Sequence, residues 1–591
     1  MPSPAPLPQN QTPLPPAGVR PAGSRWTYAF LIDIGVFVSV FAVVYGVYSI
    51  GHSWLGPVKA EAEISQDPRS LPLYALYSVV RILVAYALSL VFALVYGYVA
   101  AKSRRAEMVL IPLLDILQSI PVLSFLPGVM LAMVALFPSR QLGVELGSII
   151  LIFTGQVWNI AFSFYSSLKT VPRDLREAAI IYRFSRWQRF TELDLPFSTI
   201  GLVWNSMMSV AGGWFFLMAC EMFVLGDKDF RLPGLGSYLQ TAAGQGNTRA
   251  MLWGLAAMVA VIVLMDQLIW RPVITWADKF KFEQVESADG TQNSILNFIR
   301  KESFLIRFYR RILHPIVEWV TMEFASGAKR AAQTIRANPV TKPRPWFGWI
   351  LAGLSLVAVL YGIYRAAGEL IRLPLPEYAE LLRFAGLTLL RVNLALIIGA
   401  LWTVPVGVAI GFSPRFSRLM QPLVQLAASI PATALFPVVL LFLIRLRGGV
   451  EIAAMALMLL GTQWYILFNV IAGAMAIPTD LKEVSNIFRF SSLDRWRYLI
   501  LPGIFPYLVT GMVTASGGAW NASIVAEYFH FQGKVVQAPG LGSAISRASD
   551  AGRFDVLLAS TLIMAVIVVS INRLVWRRMY RLASTRFKLE V

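Results

Sequence analysis

The chain contains the segment PRDLREAAIIYRFSRWQRFTELDLP at positions 172–196 and a second version of it, PTDLKEVSNIFRFSSLDRWRYLILP, at positions 478–502. The two versions are identical at 12 of 25 positions when they are aligned with an offset of 306 residues. Many of the matched residues are charged, Ser or Pro, so a shared apolar composition does not explain the match. The sequence therefore predicts an internal duplication.

The repeat extends well beyond this segment on both sides. At an offset of 310 residues, the matches are Arg81 with Arg391, Ser119-Ile120-Pro121 with Ser429-Ile430-Pro431, and Pro127 with Pro437. At an offset of 306 residues, they are Trp214 with Trp520, Glu221 with Glu527, and Pro233-Gly234-Leu235-Gly236 with Pro539-Gly540-Leu541-Gly542. Two such halves with the same topology are predicted to be related by a pseudo-twofold axis along a membrane normal.

The composition indicates an integral membrane protein. Hydrophobic residues make up 57% of the chain and charged residues only 14%, against about a quarter in soluble domains. The net charge of +19 raises the possibility of nucleic-acid binding, but Lys and Arg gather between hydrophobic spans, as cytoplasmic loops do. We therefore expect no nucleic-acid partner. The single cysteine and three scattered histidines predict no disulfide and no metal site.

Hydrophobic stretches long enough to cross a bilayer recur along both halves. The first six lie at about 26–50, 73–100, 109–137, 143–168, 198–225 and 250–272, and the next six at about 346–364, 380–412, 418–445, 450–475, 503–528 and 554–576. The predicted fold class is an all-α polytopic membrane protein of two homologous six-helix bundles, with about 12 transmembrane helices. The basic loops fall on one side of the membrane, which predicts that both termini are cytoplasmic.

The sequence divides into four predicted regions. Residues 1–25 form a disordered Pro-rich tail, 26–280 the first half, 281–345 a basic cytoplasmic linker and 346–591 the second half. Apolar and basic residues alternate at helix-like spacing within the linker, which favours an amphipathic helix on the inner leaflet or on a partner. A solvated tether between the halves explains the same composition.

The repeated loops resemble the EAA loop of the permeases of ABC importers. Each begins with Pro before an acidic first helical turn. In the first loop Glu177, Ala178, Ala179 and the Leu-Pro at 195–196 fit the family pattern. In the second loop, Glu483 and the Leu-Pro at 501–502 fit, whereas Val484 and Ser485 replace the alanines. Arg183 and Arg489 stand where the family has Gly, which puts the usual tight turn in doubt.

The resemblance implies a type I importer fold and a division of labour between subunits. The EAA loops would form coupling helices that dock on two ABC ATPase subunits, and those partners would bind ATP and Mg. The sequence itself contains no phosphate-binding G-x-x-x-x-G-K-[ST] loop, so we expect no cofactor in this chain and no enzymatic activity of its own. The alternative is that the basic loops are ordinary positive-inside anchors.

A more specific resemblance is to the nitrate, sulfonate, taurine and bicarbonate importers, in a duplicated and fused form. It lies in the Ser-Ile-Pro segments, GGWFF at 212–216 with GAWNAS at 518–523, and the LPGLGSY and APGLGSA loops at 232–238 and 538–544. It implies a small anion as substrate and a periplasmic or lipid-anchored binding protein as partner. It also implies that the chain lies in the bacterial inner membrane.

Charged residues inside the spans are candidates for function. Arg81 and Glu221, like Arg391 and Glu527, lie at similar predicted depths. One hypothesis is that each half pairs its Arg with its Glu for structural reasons. The other is that the arginines draw anions into an outer vestibule. Exchanging the two charges, Arg81→Glu with Glu221→Arg, is the test that the sequence suggests.

Other polar or bent positions are candidates to line a translocation pathway, namely Ser119, Pro121, Ser429, Pro431, Trp214, Trp520 and Asn521. Helix–helix packing, in which Ser and Asn are common, is the alternative explanation of such residues. The prolines of the third and ninth spans, including Pro127 and Pro437, mark either bent gates or tolerated kinks. An ion-driven secondary transporter with two repeats, and a scaffold or channel without ATP coupling, are the alternative classes of function.

Overall fold

The computed structural model describes residues 64–138, 141–225, 228–229, 231–280, 345–443, 445–446 and 448–586. The predicted tail at 1–25 and the predicted first span at 26–50 lie outside these residues. All of the linker before Pro345 lies outside them too, so neither of its two interpretations is tested.

The first half is built from helices and one small hairpin. Its helices are α1 (Leu71–Lys102), α2 (Arg104–Ser119), α3 (Leu126–Leu136), α4 (Leu142–Thr170), α5 (Arg173–Ile181), α6 (Arg186–Arg189), α7 (Leu195–Glu221), α8 (Leu235–Gly244), α9 (Thr248–Met265) and α10 (Arg271–Ala277). Strands β1 (Val224–Leu225) and β2 (Lys228–Asp229) pair antiparallel between α7 and α8. Turns of 3-10 helix lie at Pro68–Ser70, Val122–Phe125 and Asp278–Phe280, and turns of π-helix at Phe190–Asp194 and Asp266–Trp270.

The second half repeats this order. Its helices are α11 (Pro345–Arg372), α12 (Leu375–Phe412), α13 (Pro414–Ser429), α14 (Ala432–Leu443), α15 (Gly449–Ala476), α16 (Thr479–Ile487), α17 (Ser492–Arg495), α18 (Leu501–Ala526), α19 (Leu541–Asp550), α20 (Phe554–Ile571) and α21 (Arg577–Arg586). Strands β3 (Tyr528–Phe531) and β4 (Lys534–Gln537) form its antiparallel hairpin. Turns of π-helix lie at Trp496–Ile500 and Asn572–Trp576.

Among the described residues, eight helices are long and apolar enough to cross a membrane, and nine if the bent pair α13–α14 is one span. The predicted span at 346–364 lies within α11, which is outside that count. The all-α polytopic class is thus confirmed.

The predicted third and ninth spans are not continuous helices. Each is interrupted at its Ser-Ile-Pro segment, and the second interruption bends α13 against α14 by 83°. Pro121 and Pro431 lie at these interruptions, whereas Pro127 falls in the first turn of α3 and Pro437 lies inside α14. Pro in a first turn removes no hydrogen bond that the helix needs, and α14 continues through Pro437. Pro127 and Pro437 therefore fit the interpretation as tolerated prolines rather than as bent gates.

The long helices pack in the same order in both halves. Helix α4 lies against both α1 and α7, and α15 lies against both α12 and α18. Glycines permit these close crossings: a Cβ at Gly97 would lie 2.9 Å from the Phe164 ring, and one at Gly407 would lie 2.8 Å from Val470. Small residues at helix crossings are the usual device for close packing in a bilayer.

The two halves also contact each other directly. The β3–β4 hairpin turns at Gln532-Gly533, both with positive φ (50° and 70°), and Gln532 N donates to the Ala243 carbonyl of the first half at 3.0 Å. Thr561 Oγ1 donates to the Ser124 carbonyl at 3.2 Å. One buried apolar cluster contains residues of both halves, so the halves share a core.

Candidate functional site

Each repeated loop forms a short helix that is tied to the preceding long helix. Pro172 and Pro478 precede α5 and α16 at their N-cap positions. Arg176 Nη2 donates to the carbonyls of Leu168 and Lys169, at 3.0 Å each. These carbonyls lie at the C-terminus of α4, where a cation meets unpaired acceptors and the negative end of the helix dipole.

Lys482 takes the corresponding place in the second half. Its Nζ lies 3.4 Å from the Ala474 carbonyl at the end of α15 and 4.6 Å from the centre of the Phe412 ring. Burial lowers the pKa of the Lys482 ammonium group from its ordinary value. Both short helices are therefore held at a fixed angle to the long helix before them.

The turn after each short helix is tight although it contains no glycine. Arg183 and Arg489 adopt positive φ, 52° and 47°. Phe184 N donates to the Ala179 carbonyl and Arg183 N donates to the Ile180 carbonyl, both at 2.9 Å, which is the hydrogen-bond pattern of a Schellman motif. The doubt that the missing glycine raised is thus resolved: the turn is present, and the arginines adopt it despite the strain of a side chain at positive φ.

A second short helix follows each turn and is capped by serine. Ser185 Oγ accepts from Gln188 N at 3.1 Å, and the Gln188 side chain accepts from Ser185 N at 3.0 Å, which completes a capping box. In the second half Ser491 Oγ accepts from Asp494 N at 3.1 Å. We call residues 172–189 the first knob and residues 478–495 the second knob.

The outer surfaces of both knobs expose large apolar side chains. Ile181 is 76% exposed in the first knob and Leu493 is 77% exposed in the second. The other exposed apolar residues are Ile180, Tyr182, Phe184 and Trp187 in the first knob, and Leu481, Val484, Ile487 and Phe488 in the second. Glu177, Glu483, Arg183 and Arg489 are exposed as well. Apolar groups exposed together in this way are typical of a surface that a partner covers.

The small residues after the glutamates divide between the two sides of each helix. Ala179 and Ser485 are buried against the rest of the protein, and Ser485 Oγ donates to the Lys482 carbonyl at 2.7 Å. Ala178 is half-buried, and Val484 is exposed. Of these four residues, Ala178 and Val484 are therefore the ones that can be reached from outside the protein.

A buried ion network lies at the opposite ends of the long helices in the first half. Arg81 Nε and Nη2 donate to the two carboxyl oxygens of Glu145 at 2.6 and 2.8 Å. Arg81 Nη1 donates to Glu221 Oε1 and to the Pro233 carbonyl, both at 2.8 Å. The side chain of Arg81 is 0% exposed and that of Glu145 is 3% exposed. The guanidinium group is thus fully enclosed by oxygen atoms of the protein.

The second half contains the same network in a more open setting. Arg391 Nε donates to Glu451 Oε2 at 2.6 Å, Nη1 donates to Glu527 Oε1 at 2.7 Å, and Nη2 donates to the Pro539 carbonyl at 2.8 Å. Here the Glu451 side chain is 46% exposed. One member of the second network therefore keeps its contact with the surroundings.

The repeated Pro-Gly-Leu-Gly segments explain how the innermost glutamates are held. Positions 232–238 and 538–544 were predicted to be loops, and they are loops only as far as Gly234 and Gly540, which are the N-caps of α8 and α19. Gly236 N donates to Glu221 Oε2 at 2.7 Å, and Gly542 N donates to Glu527 Oε2 at 2.8 Å. Backbone N–H groups at a helix start are suited to bind a carboxylate. The prediction of loops is wrong from Leu235 and Leu541 onward, where the helices begin.

Both segments need glycine at the N-cap position of the helix. A Cβ at Gly234 would overlap the Glu221 carboxyl group, and one at Gly540 would overlap that of Glu527. Ser78 Oγ donates to Glu221 Oε1 at 2.7 Å and accepts from Leu235 N at 3.0 Å. The carboxylate therefore receives hydrogen bonds on several sides, which offsets its burial.

A cavity of about 460 Å³ lies between the two halves. The first half lines it with α7, α9 and the π-helical turn after α9. The second half lines it with the α13–α14 interruption, α15 and α18. Its polar lining residues are Asp266, Gln425, Ser429, Tyr465, Asn469 and Asn521, and the rest of its wall is largely aromatic or aliphatic.

The profile of one family, described as "Binding-protein-dependent transport system inner membrane component", matches residues 93–269 and 403–588. The two matches cover more than half of the chain and fall one in each half. This chain belongs to that family. The permease is therefore a fused, duplicated form of an ABC importer's membrane subunit, in which the ATPase resides in separate subunits and the permease itself is not an enzyme.

Several curated relatives resemble parts of the permease. The taurine transport system permease protein TauC of Escherichia coli (strain K12) is 25% identical over 224 residues, which cover 37% of this chain and 78% of TauC. The nitrate import permease protein NrtB of Leptolyngbya laminosa is 26% identical over 188 residues, 32% of this chain and 64% of NrtB. The bicarbonate transport system permease protein CmpB of Synechococcus elongatus (strain ATCC 33912 / PCC 7942 / FACHB-805) is 29% identical over 140 residues, 24% of this chain and 49% of CmpB.

The predicted pathway residues of the permease do not all meet at the cavity. Trp214, Ser429, Pro431 and Asn521 are among its lining residues. Pro121 and Trp520 are not among them, and the Trp520 side chain is buried in the shared core. The side chain of Ser119 lies outside the described residues.

Two charged members of the permease's ion networks were not predicted from the sequence. Glu145 and Glu451 lie near the start of α4 and α15 and are related by the same offset of 306 residues as the other matches. This recurrence of an acidic residue at the edge of an apolar span was the signal that could have revealed them.

Proposed function

We propose that the permease imports a small anion and that two separate ABC ATPase subunits drive it by docking on the first and second knobs. The observation that carries this proposal is the pair of equivalent knobs, each a rigid helix and turn with exposed apolar side chains. ATP binding would close the two ATPases on each other and draw the knobs with them. The permease would then alternate between inward-open and outward-open states because ATP favours one of them.

The contacts of each knob supply a route for this movement. Arg176 fixes α5 to the end of α4, and the capped turn at Ser185 leads through a π-helical turn into α7 without a break. Helix α7 lines the cavity and ends at Glu221 in the ion network. A displacement of the first knob would therefore move two long helices together, and the same connection exists in the second half.

The names of the relatives support a small substrate with an anionic group, since they refer to taurine, which has a sulfonate group, to nitrate and to bicarbonate. The cavity supports an anionic substrate because its lining includes neutral hydrogen-bond donors. Such donors can bind an anion without holding it tightly. The ion networks support a structural role for Arg81 and Arg391, because each guanidinium group is already paired with carboxylates.

We further propose the arrangement around the membrane. A periplasmic or lipid-anchored binding protein would deliver the anion at the face where α8 and α19 lie. The basic knobs, both termini and the linker would lie in the cytoplasm, since Lys and Arg concentrate there. ATP and Mg would be bound by the ATPase subunits alone.

Dependence of uptake on the ATPase tests the proposal. The permease, its ATPase and its binding protein are reconstituted in proteoliposomes, and uptake of labelled taurine, nitrate and bicarbonate is measured with wild-type and hydrolysis-dead ATPase. We expect uptake of at least one of these three compounds with the active ATPase and of none with the inactive one. Uptake that persists with the inactive ATPase would contradict the proposal and favour an ion-driven transporter.

Docking on the knobs is tested by placing a charge on their apolar surfaces. We expect the double variant Ile181→Glu and Ile487→Glu to weaken co-purification of the ATPase about tenfold or more, because it buries a charge at the contact. The control is Val535→Glu, which changes an exposed apolar residue of β4 at the other end of α18. Equal retention of the ATPase by the double variant and the control would exclude docking on the knobs.

A further inference from the structure

A second, smaller cavity of about 140 Å³ lies between the two halves. The first half lines it with the turn at Val122–Phe125, the start of α3, the end of α7 and α8, and the second half lines it with the end of α18, β3 and α19. We call this space the outer cavity, because these ends of α7 and α18 lie opposite the knobs. Along α18 it follows the larger cavity by about one helical turn, since Asn521 lines the larger cavity and Ile524 lines the outer one.

Two buried polar atoms of residues that line the outer cavity have no hydrogen-bond partner among the described residues. They are Gln240 Oε1 of the first half and Ser549 Oγ of the second half. Ser549 is only 5% exposed. The amide of Gln240 is used on its donor side, where Nε2 is 3.4 Å from the His530 carbonyl. Buried polar atoms without a partner are rare in folded proteins, so this pair favours a bound molecule between the halves.

A carboxylate supplies a third acceptor in the lining. Tyr528 Oη donates to Asp550 Oδ2 at 2.7 Å, and His530 Nε2 lies 3.3 Å from the same oxygen. Asp550 Oδ1 accepts from no group in the described part of the chain. No Lys or Arg is among the described residues that line the outer cavity. The cavity therefore favours a cation over an anion.

These acceptors match the donors of a primary ammonium group. Such a group has three N–H donors and no acceptor, and Gln240 Oε1, Ser549 Oγ and Asp550 Oδ1 can each accept one hydrogen bond. A single water molecule has only two hydrogens and would leave one of the three oxygens without a donor. A quaternary ammonium group has the charge but no N–H group at all.

The remaining walls and the size of the outer cavity limit the ion to a small one. The walls are apolar, with Leu123, Leu126, Phe223, Ile524, Phe529 and Ile545 among their residues. A volume of about 140 Å³ is well below the roughly 300–1,000 Å³ of sites for drug-sized ligands. Burial of a short alkyl chain against these side chains would add to the binding of its ammonium group.

The repeat provides this set of acceptors only once. At the offset of 306 residues, the counterparts of Ser549 and Asp550 are Ala243 and Gly244, which have neither a hydroxyl nor a carboxyl group. The second half therefore supplies the hydroxyl and the carboxylate, and the first half supplies the amide of Gln240. An ion held by all three would contact both halves at once.

We propose that the outer cavity binds one small primary ammonium ion and that the bound ion holds the outer ends of the two halves together. The ion is an effector and not the transported anion. It acts beside the hydrogen bond from Gln532 N to the Ala243 carbonyl, which joins the same ends at 3.0 Å. Separation of these ends loses the contacts of the ion with one half, so its binding favours the outer-closed state. The effect on uptake rests on the proposed function, whereas binding of the ion is measurable without transport.

Saturation-transfer NMR on the purified permease–ATPase complex tests the binding, with ethylammonium as the probe. Tetramethylammonium is the control, because it carries the same charge but has no N–H donor. We expect transfer to the methyl protons of ethylammonium and about fivefold less transfer to tetramethylammonium. Equal transfer to both ions, or none to ethylammonium, would overturn the proposal and leave ordered water as the occupant.

A substitution of the carboxylate locates the site. Asp550→Asn keeps the size of the side chain and an acceptor for Tyr528 but removes the negative charge, and it should lower the ethylammonium signal about tenfold. Its control is Asp555→Asn, the same change in a carboxylate that pairs with Arg553 and does not line the cavity. Equal ethylammonium signals in the two variants would overturn the proposal.

Two milder variants cover the case in which Asp550→Asn does not fold. Ser549→Ala removes a hydroxyl that has no partner in the described part of the chain, so it should fold, and it should lower the signal about threefold. Gln240→Leu removes the acceptor of the first half and should have a similar effect. An unchanged signal in both variants would show that the ion does not bind between the halves.

Uptake in proteoliposomes tests the effect on the outer-closed state. With ATP and the ATPases inside and either cation outside at equal concentration and buffered pH, ethylammonium should lower anion uptake about threefold relative to tetramethylammonium. Asp550→Asn should remove this difference. Equal uptake with the two cations would overturn the closing role of the ion. If no ATP-driven uptake occurs at all, the proposed function fails, and the NMR results still decide whether the ammonium site exists.

Discussion

The two halves of the permease hold the same charges in different surroundings. In the first half, Arg81 and both of its carboxylate partners are sealed from the surroundings, whereas in the second half the side chain of Glu451 is 46% exposed. The knobs, by contrast, share the same turn, cap and exposed apolar character in both halves. The duplicated sequence has therefore kept its candidate docking surfaces alike while its interior has diverged.

Beside the cavity, too, the first half is more tightly filled than the second. Phe216 packs on Gly155 in the first half, and Ala522 leaves room beside Gly461 in the second. The first half is thus closed at both its ion network and Phe216, and the second half is open at both corresponding places. The repeat has therefore kept the exposed knobs alike while the side chains beside the cavity differ.

The largest effect is expected from removal of the sealed arginine. Arg81→Met leaves Glu145 and Glu221 buried side by side without a cation, and we expect it to lower the free energy of unfolding by about 3–5 kcal/mol. Arg391→Met should lower it by about 2 kcal/mol, because Glu451 remains partly exposed. Titration of both purified variants with SDS measures the difference. Equal losses would show that the two networks are energetically alike and would break the comparison.

The same geometry changes the meaning of the charge exchange suggested by the sequence. Arg81→Glu with Glu221→Arg would place the new glutamate against Glu145. That variant is expected to misfold whether or not Arg81 contacts an anion. The arginine-to-methionine pair is therefore the sharper test, since it removes a charge without creating a new repulsion.

A smaller effect is expected from filling the glycine positions beside the cavity. Gly155→Ala forces the Phe216 ring to move and should destabilise the permease by about 1–3 kcal/mol. Gly461→Ala meets its nearest neighbour at 3.7 Å and should change stability by less than about 0.5 kcal/mol. The midpoints of thermal unfolding of the two variants give this comparison. A larger loss for Gly461→Ala would contradict the looser packing around Gly461.

The smallest effect concerns the feature that the halves share. Arg183→Gly and Arg489→Gly relieve the strain of positive φ, and each should raise stability by about 0.5–1 kcal/mol. The two increases should be equal, because both turns have the same hydrogen bonds. The same thermal measurement applies, with Arg186→Gly in α6 as a control that should be destabilising. An increase in one half alone would show that the turns are not equivalent.

Sequence reasoning predicted the features that depend on spacing along one chain segment. The duplication, the short knob helices after Pro172 and Pro478, and most of the long helices follow from repeat offsets and apolar length. The association of Arg81 with Glu221 was one of two hypotheses that similar predicted depth allowed. In each case, the signal is local or recurs at a constant offset.

Features that depend on three-dimensional packing could not be predicted from spacing along the sequence. The Pro-Gly-Leu-Gly segment reads as a loop because Gly and Pro disfavour helices, and its role in binding Glu221 appears only when α8 meets α7. Whether the space beside Gly155 or Gly461 is filled depends on which side chain faces each glycine. Single residues such as Ala522 carry no pattern that reveals this.

The hairpin that joins the halves has a consequence for how such a protein can be assembled. Gln532 at the tip of the β3–β4 hairpin bonds to Ala243 of the first half, whereas β1 and β2 are only two residues long. A pair made of two first halves would lack this hydrogen bond between its members. Covalent fusion therefore guarantees a one-to-one stoichiometry between unlike partners, and it allows each to accumulate changes that a symmetric homodimer would have to tolerate twice.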